Sequence, residues 1–394
     1  MRTMSWMIVG LLACSVMSDA RAEKQVDPRL KEFARQKRQQ TEELAAKLHL
    51  DVPPEAREFF KAAEAGDWIA VSNAFERIRP SPAGTNTSVT VPGLDNALFI
   101  PIHETFWTYD EFNRWDGTMM QKFADGILRP IPPGSIYFGG TDAGRFVITA
   151  VRDVAKSPDI FIVTQNLIGA DGHYTDYLRS LYGNRIWVPG EKDIQRAFQQ
   201  SAEDVRSMTG IMGIIDKVTK MIFDNNKDKH EFYVEESYTI GWMYPYLEPH
   251  GLIMKLNAQP LPQLDPAIVA KDRQFWSALT KELLADKGFL GNEWGRNAFA
   301  KLRSSIGGLY QYRHQTDEAE AVFKQSLELG PTCPEPAFRL AQLYTEAERF
   351  DDGVAVLEQL QANMSSNNPH RPLVSKGIAQ ILEMKRQASE KQTK

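Results

Sequence analysis

The residues best suited to holding a ligand lie in Gly134-Ser-Ile-Tyr-Phe-Gly-Gly-Thr-Asp-Ala-Gly-Arg-Phe146. A β-branched and aromatic run, Ser135–Phe138, stops at Gly139 and Gly140. Thr141 and Asp142 follow, then a helix-compatible run from Arg145 to Ala155. Strand, glycine turn and helix start in that order form the usual ligand position of an α/β protein. The glycines let the backbone approach closely, and the first helical amides carry unpaired N–H groups. The chemistry to expect is capture of an anion or polar group by Gly139, Gly140, Thr141 and Asp142, with Arg145 neutralising a phosphate or carboxylate. Each has a plainer role beside it: Asp142 as an N-cap, Arg145 in a salt bridge to the chain's own acids. Neither a Lys-Ser/Thr ending nor Gly-x-Gly-x-x-Gly spacing is present, so neither nucleotide-loop signature applies. A second strand, Asp159–Thr164, runs into Gln165 and Asn166, which face Thr141 and Asp142 across a crevice if the two strands are neighbours.

Other chemistry finds little support. Asp171-Gly-His173-Tyr-Thr-Asp176 holds three metal-capable side chains without calcium-loop spacing or paired histidines, so no metal and no cofactor is expected. Glu235 and Glu236 are neighbours on a strand and point to opposite faces. At most one enters a site, and a paired-carboxylate mechanism is not supported. His103 and Glu104 sit in an aromatic stretch that reads as core. No Gly-x-Ser-x-Gly elbow occurs, and Cys333 lies between prolines in a turn, so no catalytic residue is assigned and the balance leans away from an enzyme.

The elements that must position these residues fall into four stretches. Residues 1–22 have Arg2, an apolar run from Met4 to Met17 and Ala20-Arg-Ala22, which is the pattern of a secretory signal peptide. The alternative is a lipobox, Leu12-Ala13-Cys14, making the protein a lipoprotein through Cys14. Without Cys14 only Cys333 is left, which excludes an internal disulfide. Residues 23–90 are a helical region: a charged amphipathic helix, solvated or weakly a membrane-surface arm, then a helical hairpin at 53–80 and a Pro/Ser/Thr linker. From 91 to 264 strands near 135–138, 159–164, 231–237 and 251–256, with 185–188 as a further short strand or extended piece, alternate with helices. That alternation predicts an α/β fold with a central, mainly parallel sheet and flanking helices, with an antiparallel edge around the aromatic turn Trp242–Tyr246. From 265 to 394 everything reads helical.

Within that last stretch the chain repeats itself at a spacing of 34 residues. Gly307 matches Ala341, Tyr310 matches Tyr344, Ala319 matches Gly353 and Phe323 matches Leu357. Small and large residues at such positions let paired helices interlock. Thr316–Pro331 resembles the second helix of a tetratricopeptide repeat. Two repeats at about 300–369 and a capping helix make a short all-α array, with Arg303, Tyr310, Arg339 and Gln342 expected to line a groove for a protein or peptide partner.

The stretch 134–146, Asp159–Asn166 and Tyr246-Leu-Glu-Pro-His-Gly-Leu-Ile253 together resemble the exported soluble region of bacterial multi-pass, glycosyltransferase-like proteins of unknown function. In those proteins transfer chemistry is expected in a membrane portion that uses an isoprenoid-linked donor. No apolar run after residue 22 is long enough to span a bilayer, so the resemblance implies a free-standing accessory domain. With 394 residues and a formal net charge of -5, nothing in the composition argues for nucleic acid. The expectation is an exported, periplasmic, non-catalytic interaction protein of the bacterial envelope. The alternative is an α/β domain that binds or acts on a sugar or phosphorylated glycan precursor.

Overall fold

The computed structural model describes residues 27–78, 91, 94–155, 159–168, 173–201, 208–236 and 240–392. The predicted signal peptide with Cys14, the linker after residue 80 and Asp171 lie outside these residues.

Three helices come first: α1 (Pro28–Leu48), α2 (Pro54–Ala65) and α3 (Trp68–Ile78). The heptad-like apolar positions of α1 are buried, and so is Lys37, whose ammonium sits 2.6 Å from Glu104 and 3.1 Å from the Tyr177 hydroxyl. A buried, fully bonded cation holds α1 onto the body of the protein, so α1 is neither a solvated helix nor a surface arm. Next come α4 (Asn96–Arg114) and α5 (Gly117–Leu128), then β1 (Ile136–Gly139), α6 (Ile148–Ala155), β2 (Phe161–Thr164) and α7 (Gln165–Ile168). After them run α8 (His173–Tyr182), α9 (Glu191–Gln200), α10 (Met208–Asn226), β3 (Phe232–Glu235), β4 (Leu247–His250) and β5 (Ile253–Leu256).

The five strands form one sheet in the order β2-β1-β3-β5-β4. β1 is parallel to both β2 and β3, with Gly139 level with Thr164 on one side and Glu235 on the other. All three are buried on both faces, which is why each reads as an apolar run up to its last residue. β5 and β4 add an antiparallel edge. Two details depart from the sequence expectations. Residues 185–188 form no strand; Asn226 instead bonds both the N–H and the carbonyl of Trp187, and so takes the groups a ladder would use. The aromatic turn is a 3₁₀ segment, Gly241–Tyr246, that leads into β4, where Pro249 is tolerated because the strand is at the edge.

The C-terminal helices are α11 (Pro266–Ala285), α12 (Lys287–Leu290), α13 (Glu293–Tyr312), α14 (Thr316–Leu329), α15 (Pro334–Glu346), α16 (Phe350–Asn363) and α17 (Arg371–Gln392). α13 with α14 and α15 with α16 are the two helical hairpins of the 34-residue repeat, and α17 closes them. A Cβ on Gly307 would lie 2.5 Å from the Phe323 ring, so the first hairpin closes only around glycine. One hydrophobic core runs from Leu30 through the sheet to Tyr344, while Ala337, Ala341, Leu357, Leu360, Met364, Val374 and Ile381 form a smaller separate one.

Candidate ligand crevice at the switch point of the sheet

After β1 the chain crosses to β2 on one side, and β3 lies on the other. The carboxyl ends of β1 and β3 therefore flank the point where strand order reverses, the position where open α/β sheets hold ligands. Gly140 and Thr141 leave β1 here, followed by a π-helical turn, Ala143–Val147, which runs into α6. Single π turns are uncommon and recur at functional sites.

The turn's anion-ready amides already have an occupant. The Glu235 carboxylate accepts from the Gly140 N–H at 2.9 Å and the Thr141 N–H at 2.7 Å. Gly144 makes room for it, since a Cβ there would lie 2.0 Å from the same carboxylate oxygen. Burial pushes the Glu235 carboxyl above its ordinary range, although the Thr141 and Gly140 bonds pull the other way. Its second oxygen, Oε1, is buried with no hydrogen-bond partner.

Asp142 is not the N-cap. It is already helical in φ and ψ and makes no cap bond; the Thr141 hydroxyl caps instead, accepting from the Gly144 N–H at 3.0 Å. Asp142 pairs with Arg145, which is buried and also stacks on Phe146. Burial raises the Asp142 carboxyl, but Arg145 and then Lys301 of α13 more than offset this and hold it below the ordinary range. Gln165 and Asn166 arrive as expected from the end of β2. The Asn166 amide donates to the Gly140 carbonyl at 3.3 Å, and Gln165 is fully buried with neither amide atom bonded. Gly139 stays within the sheet.

Helix α4 supplies a wall the sequence did not announce. His103 is half-buried with its Nδ1 atom buried and unbonded, and desolvation, then the Arg145 charge, brings its pKa down to about 3, so the ring is neutral. Glu111 is pushed up to about 7 by burial and by Asp142, while its Oε2 accepts from the indoles of Trp115 and Trp294. Unbonded buried atoms thus collect on Glu235, Gln165, Arg145 and His103, a concentration that native proteins rarely leave without purpose. The signal available in the sequence was the Glu235-Glu236 pair at the end of a strand. Both glutamates are buried, against the expectation of one, because Glu236 lies just past the strand end where helices cover it.

The repeat residues are placed differently from the expected groove. Arg303 and Tyr310 are buried, both bonding Asp272 of α11 at 2.8 Å. Arg339 reaches the sheet domain and pairs with Glu236 at 2.9 Å, where the Tyr244 hydroxyl also donates at 3.0 Å. Arg339 and Gln342 are both partly open, and Gln342 is bonded to Glu346 of its own helix. The inner faces of α13 and α15 grip this chain's own α11 and sheet.

A tetratricopeptide repeat family model matches residues 312–382. No curated protein and no solved structure matches the chain. The match takes in α14 to α16, the first part of α17 and the last residue of α13. It supports a protein-interaction or scaffold role, since such arrays are stacked hairpins that present extended surfaces to partners. No helix among the described residues is long and apolar enough to cross a membrane.

Proposed function

We propose that this chain is an exported, non-catalytic interaction component of the bacterial envelope, in which a tetratricopeptide array is fused to an α/β domain and offers its distal end to a protein or peptide. The observation that carries this reading is the repeat match combined with a division of surfaces. The first hairpin is consumed by the chain itself, whereas α17 leaves Leu373 and Leu382 exposed at 40% and 48%. Affinity capture from envelope extract with the intact protein and with Leu373→Asp/Leu382→Asp tests it. Loss of specific partners from the double variant, with unchanged thermal unfolding, is the expected result. The same partners recovered at the same yield would sink the reading.

A second reading rests on the unbonded buried groups at the switch point: the crevice of Gly139, Gly140, Thr141, Asp142, Arg145, Gln165 and Asn166 binds a sugar or phosphorylated envelope precursor once Glu235 is displaced from the turn amides. Thermal-shift screening against sugars, nucleotide sugars and phosphates tests it, with Asp142→Ala as the control. A stabilising ligand whose effect the variant loses supports the site; no shift with any of them removes it.

A further inference from the structure

The opposite edge of the sheet holds a second concavity. At the amino ends of β2 and β3, the turn after α8 and the turn after α10 line an open hollow of about 330 Å³. That volume falls within the range of small-molecule sites. Its lining carries three cationic side chains, Arg179, Arg185 and Lys229, together with His230 and the amides of Asn184 and Asn226, and no carboxylate.

The walls are set before any ligand arrives. Asn226 is buried and bonds the Trp187 N–H at 2.8 Å and the Trp187 carbonyl at 2.9 Å, which locks one turn to the other. His230 donates through Nδ1 to the Gly134 carbonyl at 2.6 Å and meets Phe161 edge-on. Arg185 lies over the same Phe161 ring at 4.6 Å, its guanidinium oriented by Asp159 at 2.6 Å. Arg179 is held by Asp176 and the Pro189 carbonyl, with Asp193 also within range of its charge. Asp159 and Asp176 are rim groups, with side chains 66% and 47% exposed, and neither lines the cavity. The Lys229 ammonium has no carboxylate partner among the described residues.

We infer that this amino-edge cavity binds a small oxyanion, a phosphate or carboxylate group on a compact polar ligand, with Lys229 and Arg185 making the charge-bearing contacts. Two planar guanidiniums and one free ammonium around a rigid, amide-lined hollow match the donor geometry of an oxyanion. The site is separate from the switch-point crevice, where the chain's own Glu235 takes the anion-binding amides.

Isothermal titration calorimetry of the full chain with inorganic phosphate, pyrophosphate and, as a neutral probe, glucose decides the matter. Saturable binding of at least one anion, weakening as salt rises, is expected. Lys229→Glu and Arg185→Gln should each weaken it about tenfold or more, the worth of one charge-assisted hydrogen bond. Both side chains are exposed, so unchanged melting curves separate lost contacts from lost fold, and Lys229→Met serves where charge reversal disturbs folding. Asp142→Ala tells the two sites apart, because a loss there with the Lys229 and Arg185 variants unchanged assigns the binding to the switch-point crevice. The inference is overturned by no saturable heat from either anion, by equal affinity in the Lys229 and Arg185 variants, by glucose binding as well as the anions, or by loss in Asp142→Ala instead.

Discussion

The two hairpins of the repeat share a length, a register and a packing rule, yet they belong to different parts of the molecule. The first, α13 and α14, is built into the main core: Phe299 packs on Trp115 and Phe123 of the α/β domain, and Arg303 and Tyr310 close on Asp272. The second, α15 and α16, shares α15 with that core but packs mainly on α17 around its own apolar cluster. Repeats stabilise one another through nearest neighbours, so each hairpin takes its identity from what stands beside it. One array can thus serve as an internal strut at one end and as a free surface at the other.

The largest expected effect breaks the strut. Asp272→Ala removes the counter-charge of Arg303, whose side chain is 4% exposed, and one bond to Tyr310. Leaving a buried cation unpaired costs about 3–5 kcal/mol, so denaturant unfolding should show a much lower midpoint. Little change would mean that α11 does not secure the first hairpin.

The same strut should carry a pH dependence. Glu111 on α4 receives the indole N–H of Trp294 at the start of α13, and burial raises its pKa from 4.5 to about 7. With the folded value above the unfolded one, the folded state holds the proton more tightly. Its contribution is therefore complete below pH 4.5 and is lost as pH rises through 7, a swing of up to about 3 kcal/mol. Melting temperature measured from pH 5 to 8 should fall for the native protein and fall less for Glu111→Gln; parallel curves would remove Glu111 as the cause.

A matched pair of substitutions compares the hairpins directly. Gly307→Ala drives a methyl group into Phe323 at 2.5 Å and Val322 at 3.0 Å, and overpacking of this kind costs about 1–3 kcal/mol. At Gly353 the nearest atom to a new Cβ is the Ala341 carbonyl oxygen at 3.2 Å, and there the roughly 1 kcal/mol helical gain of alanine offsets the tight contact. Unfolding midpoints should drop for Gly307→Ala and barely move for Gly353→Ala. Smallest of all is Leu382→Asp on the exposed side of α17, expected to change stability by less than about 0.5 kcal/mol.

The repeat was legible because interlocking imposes a local rule: Gly307 and Ala341, or Phe323 and Leu357, must recur at a fixed spacing. The sheet was legible for a similar reason, since strands buried on both faces are mostly apolar, as residues 136–138 and 161–163 are. The parallel placement of β2 beside β1 brought Asn166 to the Gly140 carbonyl, next to the Thr141 and Asp142 it was expected to face. What stayed hidden depends on distant pairings. Nothing local to Glu235 announces that it fills the turn 95 residues away, and Asp142 looks like a cap until Thr141 is seen to perform that role. The Arg303 and Tyr310 side chains have the polarity of a groove, and only the path of α11 shows that Asp272 takes both.

Cys333 opens α15 between the two hairpins, wholly buried, with its thiol raised by burial and by the nearby Glu335 charge. A shielded, protonated sulfur is inert toward alkylating reagents until the surrounding helices part. The seam between strut and free surface therefore carries a native clock. The rate at which Cys333 becomes modified under folding conditions measures how often the array opens there, and its ratio to the rate of global unfolding tells whether the distal hairpin breathes on its own.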